Sequence, residues 1–464
     1  MIIIKTIMTK SARKIVFLIF LGGFLISAPM VILYTAGYRF NFSHLSLVKT
    51  GLLSITTEPR GAEIFIDGKT TKKTTPEILK NIIPDNHVIH LEKTGYLPWE
   101  KTLEIKERET TFVPHAVLFE NSTAQIQEVG NFASVSFSPA GLSAAMVNKE
   151  EGWWEIWQKN FITQEKKLLL RLPVSEAEHL KVSWTPNGQY ILVEEKAKKS
   201  QWEVVGADGL KRLVFADLLK TNGWSEKDAV ATVESDPFLD NIFYLQTTAA
   251  TWLVDLNKNS SDKILSFPAP VWQRGELLLF LKTNNGTTEL TRQEKDGTQQ
   301  VVAYLPNGEY NFWPAPPTLV LLKNKNREQI FLVDDRGVDK PIYLQTEAFT
   351  ATWNPNNEKQ LLYVSNFELH VYDTEKQADE LITRLSTPIS ATAWHPSGSD
   401  IFYTNGKNLT AIELDKRGDG RNTFDLVDLD SLKTFVVTND SQNIFLWGKE
   451  GIETGIFRRS LNSK

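Results

Sequence analysis

Asp415 and Asp419 flank a glycine in the stretch Asp415-Lys416-Arg417-Gly418-Asp419-Gly420. In such a pattern a loop can offer carboxylate oxygens to Ca²⁺, which takes six to eight of them. Two bases lie between the acids and Arg421 follows, so the same residues also read as a long solvated loop whose charges answer one another. The seven histidines are scattered. His87 and His90 are three apart on a strand-like run, so they point to opposite faces and do not easily share a metal. His395 follows a tryptophan inside a turn phrase, where an imidazole serves as a turn hydrogen-bonder rather than a base. Gly141-Leu142-Ser143-Ala144-Ala145 lacks the closing glycine of a nucleophile elbow. No His-Glu-x-x-His and no Gly-Lys-Ser/Thr phosphate loop occurs. The chain has no cysteine, which excludes disulfides, thiolate metal sites and a cysteine nucleophile. No catalytic or cofactor-binding residue and no cofactor is expected, and Asp415 and Asp419 are the sole metal candidates.

What would position any such residue is a phrase that returns along the chain. It reads Val182-Ser183-Trp184-Thr185-Pro186-Asn187-Gly188, Ala351-Thr352-Trp353-Asn354-Pro355 and Thr392-Ala393-Trp394-His395-Pro396-Ser397-Gly398, with a looser copy at Phe137-Ser138-Pro139-Ala140-Gly141. Trp272, Trp313, Trp353 and Trp394 follow one another at 40 or 41 residues, and Phe137 precedes Trp184 by 47. Self-similarity near that period, with a β-rich run after each phrase, is the pattern of four-stranded propeller blades. Each blade buries its faces only against its neighbours. Proline and Gly or Asn supply the turn after the first strand. First strands fall near Phe137, Trp184, Val233, Trp272, Trp313, Trp353, Trp394 and Val436. The last unit is one strand short, and Gln125–Val129 is expected to fill it and remove the free sheet edge. The expected fold is all-β, an eight-bladed propeller with seven blades as the alternative, because the Val233 copy is the most degenerate.

Ile15 to Thr35 runs 21 residues without a charge, enough to span a hydrocarbon layer of roughly 30 Å as a helix. Lys5, Lys10, Arg13 and Lys14 precede it and no acid occurs before Thr35. That flank predicts the N-terminus inside and everything after Tyr38 outside. A cleaved signal peptide is the rival, with Thr35-Ala36-Gly37 as a possible cut site. The expected layout is a tail at 1–14, a transmembrane helix at 15–35, a linker at 36–49, a small β-sandwich at 50–119 and the propeller at 120–464. The whole chain carries net charge −5 and the part beyond the helix is more acidic still, which disfavours nucleic acid as a partner.

The segment 50–119 alternates short strands with turns every 8–12 residues, including the hairpin signal Asp67-Gly68. Pro59-Arg60-Gly61-Ala62, then Ile64-Phe65-Ile66-Asp67-Gly68, Thr75-Pro76, a turn at Pro84 and Gly95-Tyr96 together resemble a PEGA domain. The residues carrying the resemblance are Pro59, Gly61, Ala62, Asp67, Gly68, Pro76, Gly95 and Tyr96, with Arg60 standing where the name-giving pattern has Glu. The resemblance implies a small sandwich module of bacterial and archaeal envelope proteins and no catalytic residues. The repeats are similar to those of TolB-like or WD-repeat propellers, and the anchor–PEGA–propeller layout resembles that of membrane-anchored bacterial proteins.

These readings converge on a non-enzymatic binding or scaffold protein, tethered by one N-terminal helix on the outer face of a cytoplasmic membrane. The propeller would present the interaction platform to an envelope protein, peptide or glycan. The rival readings are an envelope enzyme whose groups converge in the propeller channel and a glycan-binding module built on tryptophans such as Trp153, Trp154, Trp157 and Trp202. A cluster of buried carboxylates or histidines with shifted pKa values near the ring axis would favour the enzyme.

Overall fold

The computed structural model describes residues 10–41, 46–174, 179–196, 201–220, 224, 228–284 and 286–462. Residues 1–9 of the expected tail, His44, and residues 197–200 and 285, within stretches whose polar sequence reads as loops at Lys196–Ser200 and Asn284–Gly286, lie outside the described residues. The chain divides into two compact units, Met1–Asn121 with Asp415–Asn422, and Ser122–Leu414 with Thr423–Lys464.

The first unit opens with a helix at Lys10–Thr35. Its stretch Arg13–Thr35 has a mean hydropathy of 2.6 and no buried portion, which makes it long and apolar enough to cross a membrane. The helix takes in Arg13 and Lys14, so it begins ahead of the expected Ile15. It stops at Gly37, whose φ of 84° is the left-handed geometry of a helix C-cap. The Gly37 N–H donates to Tyr34 O at 3.2 Å. The span 36–49, expected as plain linker, holds a two-stranded ribbon of Tyr38–Asn41 against Ser46–Lys49.

Beyond the ribbon two sheets form the sandwich. One orders Glu77–Ile82, Gly51–Glu58 and Thr110–Val117, the last two parallel. The other orders Lys69–Thr74, Glu63–Ile66, Asp85–Glu92 and Trp99–Ile105. Alternation along Gly51–Glu58 buries every second residue, as a half-buried strand requires. Leu53, Ile55, Ile64, Ile89, Leu91, Trp99 and Leu103 make the core. The loop Asp415–Asn422, expected as a solvated loop inside 120–464, groups with this unit.

The second unit is a β-propeller. Among the described residues it holds eight four-stranded antiparallel sheets, each with its first strand on one of the eight expected positions. Seven follow chain order. The eighth orders Gln125–Val129, Glu453–Ser460, Asn443–Glu450 and Ser431–Val437. The segment Gln125–Val129 therefore completes the last sheet, pairing antiparallel with Glu453–Ser460. That sheet packs on the first through a cluster holding Val135, Met146, Phe445 and Ile456. Phe161 stacks on Phe445 at 3.8 Å between ring centroids. The wide gap between Trp184 and Val233 has a local cause: a helix at Phe215–Lys220, absent from the sequence expectation, follows a three-residue fourth strand. Its Phe215, Leu218 and Leu219 are buried in the core between those two sheets.

Candidate functional site

The repeat tryptophans explain their own spacing. Trp184 Nε1 donates to Ser136 O at 2.8 Å, Trp353 Nε1 to Pro314 O at 2.7 Å and Trp394 Nε1 to Thr352 O at 3.1 Å. Each indole thus reaches the first strand of the preceding sheet, or the residue just past it. The turns after the first strands are tied sideways as well. Asp240 accepts the Asn187 and Gln189 N–H groups at 2.7 and 2.9 Å, and Asn354 Nδ2 donates to Gly398 O at 3.0 Å. Gly398 has φ of 73°, and a β-carbon there would lie 2.2 Å from Asn354 Oδ1. His395 is buried, and its Nδ1 accepts the Ser397 N–H at 3.1 Å while Ser397 and Ser399 hydroxyls lead on to Asp400. This imidazole organises its own turn.

On the rim where those turns lie, four neighbouring sheets frame a pocket of about 680 Å³, within the usual range for ligand sites. Asp236 builds one wall. Its Oδ1 accepts the N–H groups of Phe238 and Leu239, both at 2.9 Å, and its Oδ2 accepts the Tyr244 hydroxyl at 2.7 Å. Tyr244 in turn accepts the Gln273 N–H at 2.9 Å. Burial, and then the Asp236 charge, push the Tyr244 pKa upward, so the phenol stays neutral. The Asp236 turn holds Phe238 and Leu239 outward, about half exposed. Phe238 stacks on Trp272 at 5.7 Å, and the Arg274 guanidinium lies 4.6 Å from the same indole. Arg274 is paired with buried Asp335. Burial lowers the Arg274 pKa against the pull of that carboxylate. Arg274 Nε is buried without a hydrogen-bond partner. The Trp353–Pro314 bond fixes the opposite wall, Pro314–Pro317. The site is mostly apolar, and its Asp236 and Arg274 charges are already engaged.

A second, polar cavity of about 410 Å³ lies where first strands meet, lined by Lys181, Glu194, Thr232, Glu234, Asn311 and Lys325 among others. Lys325 Nζ stands 3.3 Å from Glu234 Oε1. These residues belong to sheets with the Trp272 sheet between them in order, so both face a common interior space. Burial raises the Glu234 pKa, and Lys325 and then Lys181 oppose it. Thr232 Oγ1 and Asn311 Oδ1 are buried there without a hydrogen-bond partner.

The expected site residues are dispersed. Asp415 receives the Arg417 backbone and side chain at 2.7–3.0 Å and lies 3.8 Å from Lys101. Burial alone would raise its pKa, yet Arg417 and Lys101 together bring it below the ordinary value. Asp419 Oδ2 accepts the Thr102 hydroxyl at 2.8 Å. The two carboxylates thus face separate partners. Among the described residues no set of three or more His, Cys, Asp or Glu gathers in a metal-binding arrangement. His87 bonds Asp67 at 2.7 Å and His90 bonds Glu100 at 3.1 Å, each on its own side. Asp67 and Gly68 have positive φ in their hairpin turn, Ala62 is fully buried, and Gly61 N–H donates to Thr75 O at 2.8 Å beside Pro76. Gly95 also has positive φ, and Tyr96 N–H donates to Lys93 O at 3.0 Å. Pro59 O accepts the Thr57 hydroxyl at 2.7 Å. Of the tryptophans weighed for glycan binding, Trp154 is buried and Trp153 lies under Arg171 at 4.7 Å. Trp157 is half-buried and donates to Glu155 at 2.9 Å, and Trp202 is half-buried with its Nε1 enclosed. Sequence reasoning missed Phe238, Leu239 and the proline wall. Their signals were an apolar pair inserted in a turn and the run Pro314-Ala315-Pro316-Pro317 directly after Trp313.

Residues 50–116 match the family model of the PEGA domain. No curated protein matches the chain. Among solved structures, the C-terminal WD40 domain of Sif2 is 10% identical over 74% of this chain and 99% of its own, with a TM-score of 0.47. Saccharomyces cerevisiae Sqt1 is 11% identical over 74% and 100%, with a TM-score of 0.46. Oligogalacturonate lyase from Vibrio parahaemolyticus is 13% identical over 67% and 96%, with a TM-score of 0.40. Along the described residues the apolar helix comes first, the PEGA-domain match at 50–116 next and the propeller sheets last.

Proposed function

We propose that this chain is a membrane-tethered, non-enzymatic binding protein of the cell envelope. In this reading its eight sheets are the blades of a closed ring and its rim pocket takes a short apolar segment of a peptide or protein. The observation that carries it is the pocket of Phe238, Leu239, Trp272, Pro314, Pro316 and Trp353. Half-exposed Phe238 and Leu239 gain from covering by an apolar side chain, at about 25 cal/mol per Å² buried. The Asp236 carboxylate and the Arg274 guanidinium are already engaged, which leaves exposed Glu358 as the charge a ligand meets at the pocket. The Lys10, Arg13 and Lys14 flank supports an inside N-terminus, with the sandwich and propeller outside. The acidic balance supports a partner other than nucleic acid.

The test is selection of binders from a random peptide library on the full chain held in nanodiscs. Enriched peptides should carry apolar or aromatic anchors. The double variant Phe238→Ala, Leu239→Ala should weaken them more than tenfold with its melting temperature unchanged. Peptides that bind the double variant equally well would place the site elsewhere.

Glu234 favours a second reading, a reaction in the inner cavity, because its raised pKa suits a general acid. Lys325 beside it marks an ion pair instead. Glu234→Gln separates the two through stability: an ion-pair role predicts a shifted melting temperature.

A further inference from the structure

The ribbon that follows the apolar helix carries two exposed apolar side chains directly beside the end of that helix. Tyr38 pairs with Lys49, Arg39 with Val48 and Phe40 with Leu47. Cross-strand partners share a face and alternate residues return to it, so Tyr38, Phe40, Leu47 and Lys49 lie on one side. Phe40 is 46% exposed and Leu47 48%, an apolar pair turned to the surroundings on a ribbon of eight residues. Lys49 Nζ stands 5.3 Å from the Tyr38 ring on that side. The other side is fastened to the helix end. Arg39 Nη1 donates to Tyr34 O at 2.9 Å and to Tyr38 O at 2.8 Å, and its guanidinium lies 3.7 Å from the Tyr34 ring. The ribbon is thereby held at the last helical turn.

Geometry then limits where the apolar pair can go. The 23 residues of Arg13–Thr35 extend about 34 Å as a helix, against a hydrocarbon core of about 30 Å. Thr35 therefore falls at the edge of that core. From Tyr38 to Phe40 the strand advances about 7 Å, comparable with the roughly 5–8 Å polar layer on each side of the core. Aromatic rings with cations beside them are the side chains that settle in this layer.

We propose that this face is a lipid-binding surface, seated in the headgroup layer of the bilayer. The ribbon lies along the headgroup layer with Tyr38, Phe40 and Leu47 turned toward the lipid, and Lys49, beside Tyr38, meets the lipid phosphates. This rests on the reading of Arg13–Thr35 as a membrane span, and the partner is the phospholipid bilayer itself.

The chain has no cysteine, so single substitutions place one label without background. Phe40→Cys, Leu47→Cys, Ile26→Cys in the middle of the helix and Leu210→Cys, 83% exposed on the propeller, would each carry a nitroxide in the full chain reconstituted in phosphatidylglycerol–phosphatidylethanolamine vesicles. The readout is the ratio of collisions with oxygen to collisions with a water-soluble nickel chelate. At 40 and 47 the ratio should lie several-fold above that at 210 and below that at 26. Ratios at 40 and 47 equal to that at 210, with 26 deep in lipid, overturn the ribbon surface and leave the span standing. A ratio at 26 equal to that at 210 overturns both. Lys49→Glu in the Leu47→Cys background should move the label toward water, and an unchanged ratio would remove Lys49 from the surface.

Discussion

At the scale of single residues, the propeller is held by groups that each serve two sheets. Trp394 is 8% exposed and its indole N–H closes on the Thr352 carbonyl. Trp394→Phe keeps most of the apolar contact but leaves that acceptor short. It should cost about 1–3 kcal/mol in thermal or urea unfolding, and a loss within error would show the bond to be incidental. Asp334 gives a pH signature. Its carboxylate has no exposed side-chain surface and takes the Arg336 guanidinium and the Tyr343 hydroxyl at 2.6 Å. The Arg336 hydrogen bonds, set against the burial that would raise it, bring its pKa down to about 2 from 3.8. Because the folded value is the lower one, the contribution is full above about pH 4 and fades as pH falls toward 2. Arg336 is 58% exposed and so partly screened, which keeps the contribution at or below about 2 kcal/mol. Asp334→Asn should flatten that limb of the stability–pH curve, and a curve superimposable on the parent would refute the assignment.

At the scale of elements, the informative strand is Gln125–Val129. It precedes the first sheet in sequence yet completes the last, and its partner strand passes very close at Gly455. A β-carbon on Gly455 would lie 2.0 Å from Glu128 O. Gly455→Ala therefore has to push the two strands apart, at about 1–3 kcal/mol. A melting temperature unchanged by Gly455→Ala would mean that the closing pair carries no stability. The helix Phe215–Lys220 shows how a repeat tolerates an insertion: three buried side chains anchor it between sheets, so the extra chain adds core instead of loosening the blade.

At the scale of the whole molecule, the proposed arrangement puts everything after the helix on one side of a membrane. The absence of cysteine makes that measurable. Leu210→Cys in intact spheroplasts should react with a membrane-impermeant maleimide without lysis. Labelling that appears only after lysis would place the propeller in the cytoplasm and remove the envelope reading. The same reasoning sets the rank of the two cavities. The rim pocket presents half-exposed apolar side chains that a partner can cover, whereas the inner cavity is polar and holds the Lys325–Glu234 pair.

The sequence alone was enough for the first strands of the eight sheets and their order, though not for the ribbon at Tyr38–Lys49 or the helix Phe215–Lys220. A tryptophan or phenylalanine every forty-odd residues, a proline turn behind it and a β-rich run are local patterns, and a strand needs only its own residues to show alternation. The hairpin at Asp67-Gly68 and the apolar run to Thr35 were legible for the same reason. The missing strand at Gln125–Val129 could be inferred because a free sheet edge is costly wherever it lies. What the tertiary structure decided is convergence. Phe238 and Leu239 came from the most degenerate copy, and the wall opposite them from Pro314 and Trp353, far along the chain. Lys325 meets Glu234 across 91 residues. Asp415 and Asp419 read in sequence as a solvated loop with a weak claim on a cation, and in space they are spoken for by Arg417, Lys101 and Thr102. Local periodicity records what each strand does by itself, and a site exists only where distant strands close on a shared volume.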